Sequence, residues 1–137
     1  MSSTTNARKK VAVCFGGPSP EHDVSVVTGL QVVDAIDQDR FEPVPVYFDW
    51  SRQFHTGPLY GMRSVYRPHP KRSEGSTPVQ FRNFAGQGAV MVRQGGKPEP
   101  IEAAVLAFHG LTGEDGRVQA HMEMAGVPYT GMRMTDT

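Results

Sequence analysis

Hydrophobic positions in this chain fall into short continuous runs and helically spaced sets, and the change from one to the other happens twice. Val11, Ala12, Val13, Cys14 and Phe15 form an uninterrupted apolar run, the pattern of a strand covered on both faces in a parallel sheet. Gly16 and Gly17 stop it. After a turn at Pro18, Ser19 and Pro20, the apolar residues Val26, Leu30, Val33 and Ile36 recur at helical spacing, which predicts a helix over about Glu21 to Asp37. Phe41 to Phe48 reads as a second strand, and Pro43 and Pro45 within it predict an edge position or a late start. The unit is βαβ. The same order returns later: Ala103 to Phe108 is a second continuous run, and His109, Gly110, Gly113, Glu114, Asp115 and Gly116 make a second glycine loop. Val118, Met122 and Ala125 then share one helical face, with Asp115 placed to cap that helix and Gly126, before Val127 and Pro128, to end it. Tyr129 begins a last short strand.

Between these two blocks the pattern weakens. From Asp49 to Pro100 glycine and proline are frequent, and only Val79 to Phe84 and Ala89 to Arg93 look like strands. This stretch reads as a loop followed by a hairpin insertion, with residues 68–78 too poor in apolar side chains to pack and therefore a mobile loop. Residues 1–9 read as a flexible polar tail and 10–137 as one domain. The fold class expected from this order is α/β, with a mostly parallel sheet.

Composition narrows the partners. With 137 residues the chain is the size of one ordinary domain. Basic and acidic side chains number 14 each, so no net field exists to hold a nucleic acid or an anionic membrane surface. The lone cysteine, Cys14, lies in an apolar run, where a core role outweighs a nucleophilic one; it excludes an internal disulfide and fits the cytoplasm. The apolar stretch after Lys10 is too short for a signal peptide, and no stretch approaches the roughly 20 apolar residues that a membrane span needs. His22, His55, His69, His109 and His121 show no metal-ligand spacing, so no protein-bound metal is expected.

Candidate chemistry gathers at the two glycine loops. In an open parallel sheet, ligands bind beyond the carboxyl ends of the strands, so both loops are expected to line one crevice. The first loop is neither a dinucleotide fingerprint nor a phosphate-binding P-loop. It offers Glu21 at a helix start, with Ser25 four residues on and on the same face. Glu21 can pair with a substrate ammonium; the plainer alternative is that it complements the helix dipole. His109, at the end of a strand, can donate to a substrate carboxylate or phosphoryl oxygen, or be an ordinary loop histidine. Glu114 can orient another polar group, and for it and Asp115 a structural role is equally open.

Two segments together carry a resemblance. Val11 to Ser25 (VAVCFGGPSPEHDVS) and Leu106 to Gly131 (LAFHGLTGEDGRVQAHMEMAGVPYTG) are similar, in order and separation, to the two signature blocks of the D-alanine–D-alanine ligase family. The first resembles that family's FGG-x-S-x-EHxVS block and the second its HG-x-x-GEDG-x-xQ block. Asp23 stands where the family often has glutamate. The resemblance implies a Rossmann-like three-layer α/β domain that precedes an ATP-grasp module and helps bind the first D-alanine. It implies that Glu21 contacts the substrate amino group, that Ser25 supports Glu21 and that His109 lies near the substrate carboxylate. Val24, Gly110, Gly113, Glu114, Asp115 and Gly116 would shape the pocket. In such ligases ATP phosphorylates the carboxylate of one D-alanine, and the amine of a second attacks the acyl phosphate to give the dipeptide for peptidoglycan.

No segment here supplies the phosphate-covering loop, cations and magnesium-binding carboxylates of phosphoryl transfer. The expectation is an amino-terminal, substrate-binding portion of such a ligase. It would be inactive alone and would bind D-alanine weakly, with ATP and magnesium required only by the complete enzyme and the remaining ligase domains or a homodimer as partners. The alternatives are a stand-alone amino-acid-binding, regulatory or dimerisation module, and a ligase of the same superfamily with a different acceptor.

Overall fold

The computed structural model describes residues 8–57, 77–108 and 114–131, without the side chains of Glu114 and Asp115. The first apolar run is strand β1 (Lys9–Gly16), followed by helix α1 (His22–Ala35) and strand β2 (Phe41–Phe48). β3 (Phe54–Thr56), β4 (Thr77–Phe84), β5 (Gly88–Arg93) and β6 (Pro98–Pro100) come next, and β7 (Ala103–Leu106), α2 (Glu114–Met124) and β8 (Tyr129–Gly131) complete the order. All eight strands form one sheet in the order β6-β5-β4-β3-β2-β1-β7-β8.

The sheet is mixed, which corrects the expectation of a mostly parallel one. β1 pairs in parallel with β2 and β7, and β7 with β8, but every pairing from β2 out to β6 is antiparallel. The reason lies in the connections. A parallel neighbour needs a crossover of a dozen or more residues, whereas five residues link β2 to β3 and three link β4 to β5. β4 and β5 pair antiparallel within the main sheet, joined to it through β3 and flanked by β6, two strands the apolar pattern does not reveal.

Three further expectations need correction. Lys9 lies in β1, paired with Phe41, so it is not part of a tail; residues 1–7 lie outside the described residues. Thr77 and Pro78 open β4, which removes them from the expected mobile loop, whose residues 68–76 also lie outside the described residues. Asp115 falls inside α2 rather than capping it.

Pro43 and Pro45 do not put β2 at an edge. They stand opposite Val11 and Val13 of β1, and two residues apart they turn their missing N–H groups to the same side. On the other side β3 pairs only with Val46 to Phe48, so the second neighbour starts just past the prolines. Neither expectation holds, since β2 begins at Phe41, before both prolines, and is paired on both sides. True edge prolines occur in β6, which carries Pro98 and Pro100.

Alternation along β1 divides the core. Val13 and Phe15 pack with Val26 and Leu30 of α1 and with Tyr47 and Ala107. Ala12 and Cys14 face the other way, toward Phe48, Leu106, Val118 and Met122, so the two helices cover opposite faces of the sheet. The face of α2 is the expected one, with Val118, Met122 and Ala125 all buried. Its end is also as expected: the Gly126 N–H donates to the Glu123 carbonyl and the Val127 N–H to the Met122 carbonyl, a Schellman closure.

Gly29 sets how closely α1 can lie on β1, because a Cβ there would land on the Phe15 ring. Gly29→Ala should gain about 1 kcal/mol in helix propensity and lose about 1–3 kcal/mol to overpacking. A net loss is therefore expected as a lower urea midpoint, and an unchanged or higher midpoint would show that the helix has room to move away.

Candidate functional site

The carboxyl ends of β1 and β7 and the start of α1 meet around one hydroxyl. Ser25 is 1% exposed. Its Oγ accepts from the Gly16 N–H at 2.8 Å and donates to the Ala107 carbonyl at 2.5 Å, so a single side chain joins the helix to the ends of two strands. Gly16, at φ +100°, is required there: a Cβ would stand 2.7 Å from the Phe48 carbonyl oxygen and 2.8 Å from the Tyr47 ring. The chain then bends through Gly17, whose N–H donates to that same Phe48 oxygen at 2.7 Å.

Glu21 occupies the N-cap position of α1, and its side chain makes no capping hydrogen bond. The capping work is done by Ser19, whose Oγ accepts from the Glu21 N–H at 3.0 Å and whose carbonyl accepts from the His22 N–H at 3.0 Å. The Glu21 carboxylate is thus left partly exposed at the positive end of the helix. Val24, one turn on, is 50% exposed, a large apolar side chain with no place in the core.

Glu21, Val24 and Ser25 therefore stand together on the first turn of α1. His109, Gly110 and Gly113 lie outside the described residues; Glu114 opens α2, and Gly116 follows in its first turn. The strand leading to the second loop ends beside the first loop. The Ala107 N–H donates to the Cys14 carbonyl at 2.8 Å, and the Phe108 ring lies 3.5 Å from where a Gly17 Cβ would be.

Two buried histidines escape a reading by metal-ligand spacing. His22 is 1% exposed, bonded through Nδ1 to Asp23 at 2.9 Å and through Nε2 to the Tyr47 hydroxyl at 2.7 Å. It could have been found by stepping one helical turn back from Val26 along the buried face. His55 Nε2 lies 2.6 Å from Asp49. That carboxylate also accepts from the Ser51 and Gln53 N–H groups, fixing the turn in which Arg52 takes φ +64°. Among the described residues no group of three or more His, Cys, Asp and Glu could hold a metal ion. Burial pushes the Cys14 thiol pKa up, as suits a core residue.

A cavity of about 490 Å³ lies away from Glu21, on the α2 face, between Phe48, Phe54 and Val79 on the sheet and Arg117, Val118 and His121 on the helix. Its size does not make it the better site. The loop residues that join strand ends are at α1, and this cavity shares none of them.

The family described as D-ala D-ala ligase N-terminus matches residues 10–132. The chain belongs to that family. This D-Ala–D-Ala ligase N-terminal domain is 35% identical over 133 residues to a D-alanine–D-alanine ligase of Methylobacterium sp. strain 4-46, a match covering 90% of the chain and 32% of the relative. It is 28% identical over 121 residues to the ligase of Thermosipho melanesiensis, covering 88% and 33%. The chain thus spans about a third of these relatives. Among solved structures, the VanG D-Ala:D-Ser ligase of Enterococcus faecalis superposes with a TM-score of 0.72 at 24% identity, over 90% of this chain and 35% of that one. The D-alanine–D-alanine ligase of Coxiella burnetii gives 0.70 at 20% identity, over 89% and 35%. These two likenesses show the shared fold. No helix of the described residues is long and apolar enough to cross a membrane.

Ser25→Ala leaves the buried Gly16 N–H and Ala107 carbonyl without their shared partner. The expected loss is about 2 kcal/mol, read as a lower denaturant midpoint with unchanged slope. A loss below about 0.5 kcal/mol, the usual scale of a surface change, would show that the hydroxyl is not the clasp described.

Proposed function

We propose that this domain forms the D-alanine side of the substrate pocket in an ATP-dependent D-alanine–D-alanine ligase. One observation carries the reading: the Glu21 carboxylate, relieved of capping by Ser19, stands at the positive end of α1 beside the carboxyl ends of β1 and β7. A zwitterionic amino acid needs an anion for its ammonium and donors for its carboxylate. Glu21 is the anion, Val24 offers an apolar neighbour for the methyl group, and His109 with the backbone of Gly110 supplies donors, with Glu114 orienting them. Ser25 acts by holding the first turn in place.

The pairing has a chemical consequence. An ammonium beside a carboxylate keeps its proton, so the amine of this first D-alanine is withheld from attack while its carboxylate is activated. The attacking amine must then belong to the second amino acid. ATP and magnesium belong to the activation step and are assigned to the ligase portion beyond these residues, so this domain alone would not release phosphate. Glu21 is partly exposed in this domain, so it stays hydrated and its contribution is screened. Binding in the millimolar range, about 4 kcal/mol, is expected. A cytoplasmic setting agrees with the buried, unpaired Cys14.

The test is an amide-shift titration with D-alanine, L-alanine and D-serine, the last because one structural neighbour bears D-Ser in its name. D-alanine should shift amides from Gly16 to Ser25 and those following Phe108. Glu21→Gln should weaken this by about tenfold, the scale of one charge-assisted contact, and His109→Ala should weaken it less. D-alanine shifts that are absent, or indifferent to Glu21→Gln, would refute the assignment.

A further inference from the structure

We propose that His22 is a positioning residue: its buried ring ties the start of α1 to β2 and thereby sets where Glu21 stands. The proposal deepens the reading of Glu21 as the ammonium partner and rests on it for its functional meaning, although its structural content can be tested separately.

The ring is held on three sides. Asp23 Oδ1 lies 2.9 Å from Nδ1; a carboxylate only accepts, so in the neutral ring Nδ1 carries the proton. Nε2 is then an acceptor, and the Tyr47 hydroxyl donates to it across 2.7 Å. Trp50 stacks on the ring with centroids 4.6 Å apart and planes 25° apart, while the Tyr47 ring meets it edge-on at 5.5 Å. Both polar atoms of a fully buried imidazole are satisfied in this tautomer, so the arrangement has one low-energy orientation.

The consequence for Glu21 follows from spacing. His22 and Ser25 are both on the first turn of α1. Ser25 fastens that turn to β1 and β7, and His22 fastens it to β2 through Tyr47. A rigid turn pinned at two places to three strands cannot rotate about its axis, and Glu21 is the residue immediately before it. Without the His22 tie, Ser25 alone would leave the turn free to pivot. Tyr47 is itself fixed, fully buried and close against Gly16, so the tie reaches from the first glycine loop back to the same loop.

The chain contains one tryptophan, so its emission reports on the ring stacked against His22. Tyr47→Phe removes the donor and keeps the packing ring. Because the Tyr47 side chain makes other interactions as well, it should be combined with His22→Asn in a double-mutant cycle. Amide hydrogen exchange on the 137-residue chain should run about fivefold to tenfold faster in Tyr47→Phe at Glu21, His22 and Ser25, the scale set by one buried hydrogen bond. The β1 amides should keep their wild-type rates, and Trp50 emission should shift to the red. Adding His22→Asn should produce little further change at the first turn. Wild-type exchange there, acceleration spread evenly into β1, or fully additive effects of the two substitutions would each overturn the proposal. A D-alanine titration of the same samples separates it from the reading of Glu21: if the first turn loosens as described but D-alanine shifts no wild-type amide, the positioning role of His22 stands and the ammonium pairing falls.

Discussion

The hydroxyl of Ser25 is the contact on which this architecture turns. Two adjacent parallel strands end side by side with backbone groups that no strand neighbour satisfies, and a buried orphan of either kind costs about 1–3 kcal/mol. By taking the Gly16 N–H and giving to the Ala107 carbonyl, one side chain completes both strand ends and seats the helix that follows the first. The rest follows in order. Gly16 must lack a Cβ so that β1 can pass Phe48 and Tyr47, Ser19 takes over the capping of α1, and Glu21 is released to face outward with its charge. An α1 start so constrained holds an outward-facing carboxylate on a fixed turn, built from side chains that are structural in themselves.

The antiparallel half of the sheet has a different logic. Among the described residues it adds no helix and extends β2 outward through antiparallel pairings, the turn after β2 being held by the buried Asp49 carboxylate with its two backbone donors and His55. Its packing runs through Phe54, Val79, Phe81 and Met91, which join the α2-side core. The cavity on that face is bounded by this extension and by α2; it is a product of how the two halves meet and does not share the strand-end loops. Domain size and sheet breadth come from this half, and the candidate chemistry from the parallel one.

How much of this is legible in the sequence depends on how strongly each segment is patterned. β1, β2, α1 and the buried face of α2 are read closely because an apolar run or a helical period extends across the element. β3 and β6 are not, being three residues each and too short for any period to show, and with them goes the mixed character of the sheet. Pro43 and Pro45 mislead, since proline signals a missing donor without saying which neighbour goes unpaired. At the site, the juxtaposition of Glu21 and Ser25 follows from their helical spacing. That Ser25 is spent on backbone groups depends on β7, which is far away in sequence. His22 is hidden for a related reason: its partners Tyr47 and Trp50 arrive from β2 and the turn after it, and a search for metal-ligand spacing among histidines looks in the wrong direction.

On this reading the amino acid sits against the first turn of α1 and not in the cavity beside α2. Nuclear Overhauser contacts between the methyl group of D-alanine and the protein test this most directly. Contacts are expected to the methyl groups of Val24, the exposed apolar side chain one turn from Glu21. Contacts to Val79, Val118 and His121 instead would place the ligand in the α2-side cavity and contradict it.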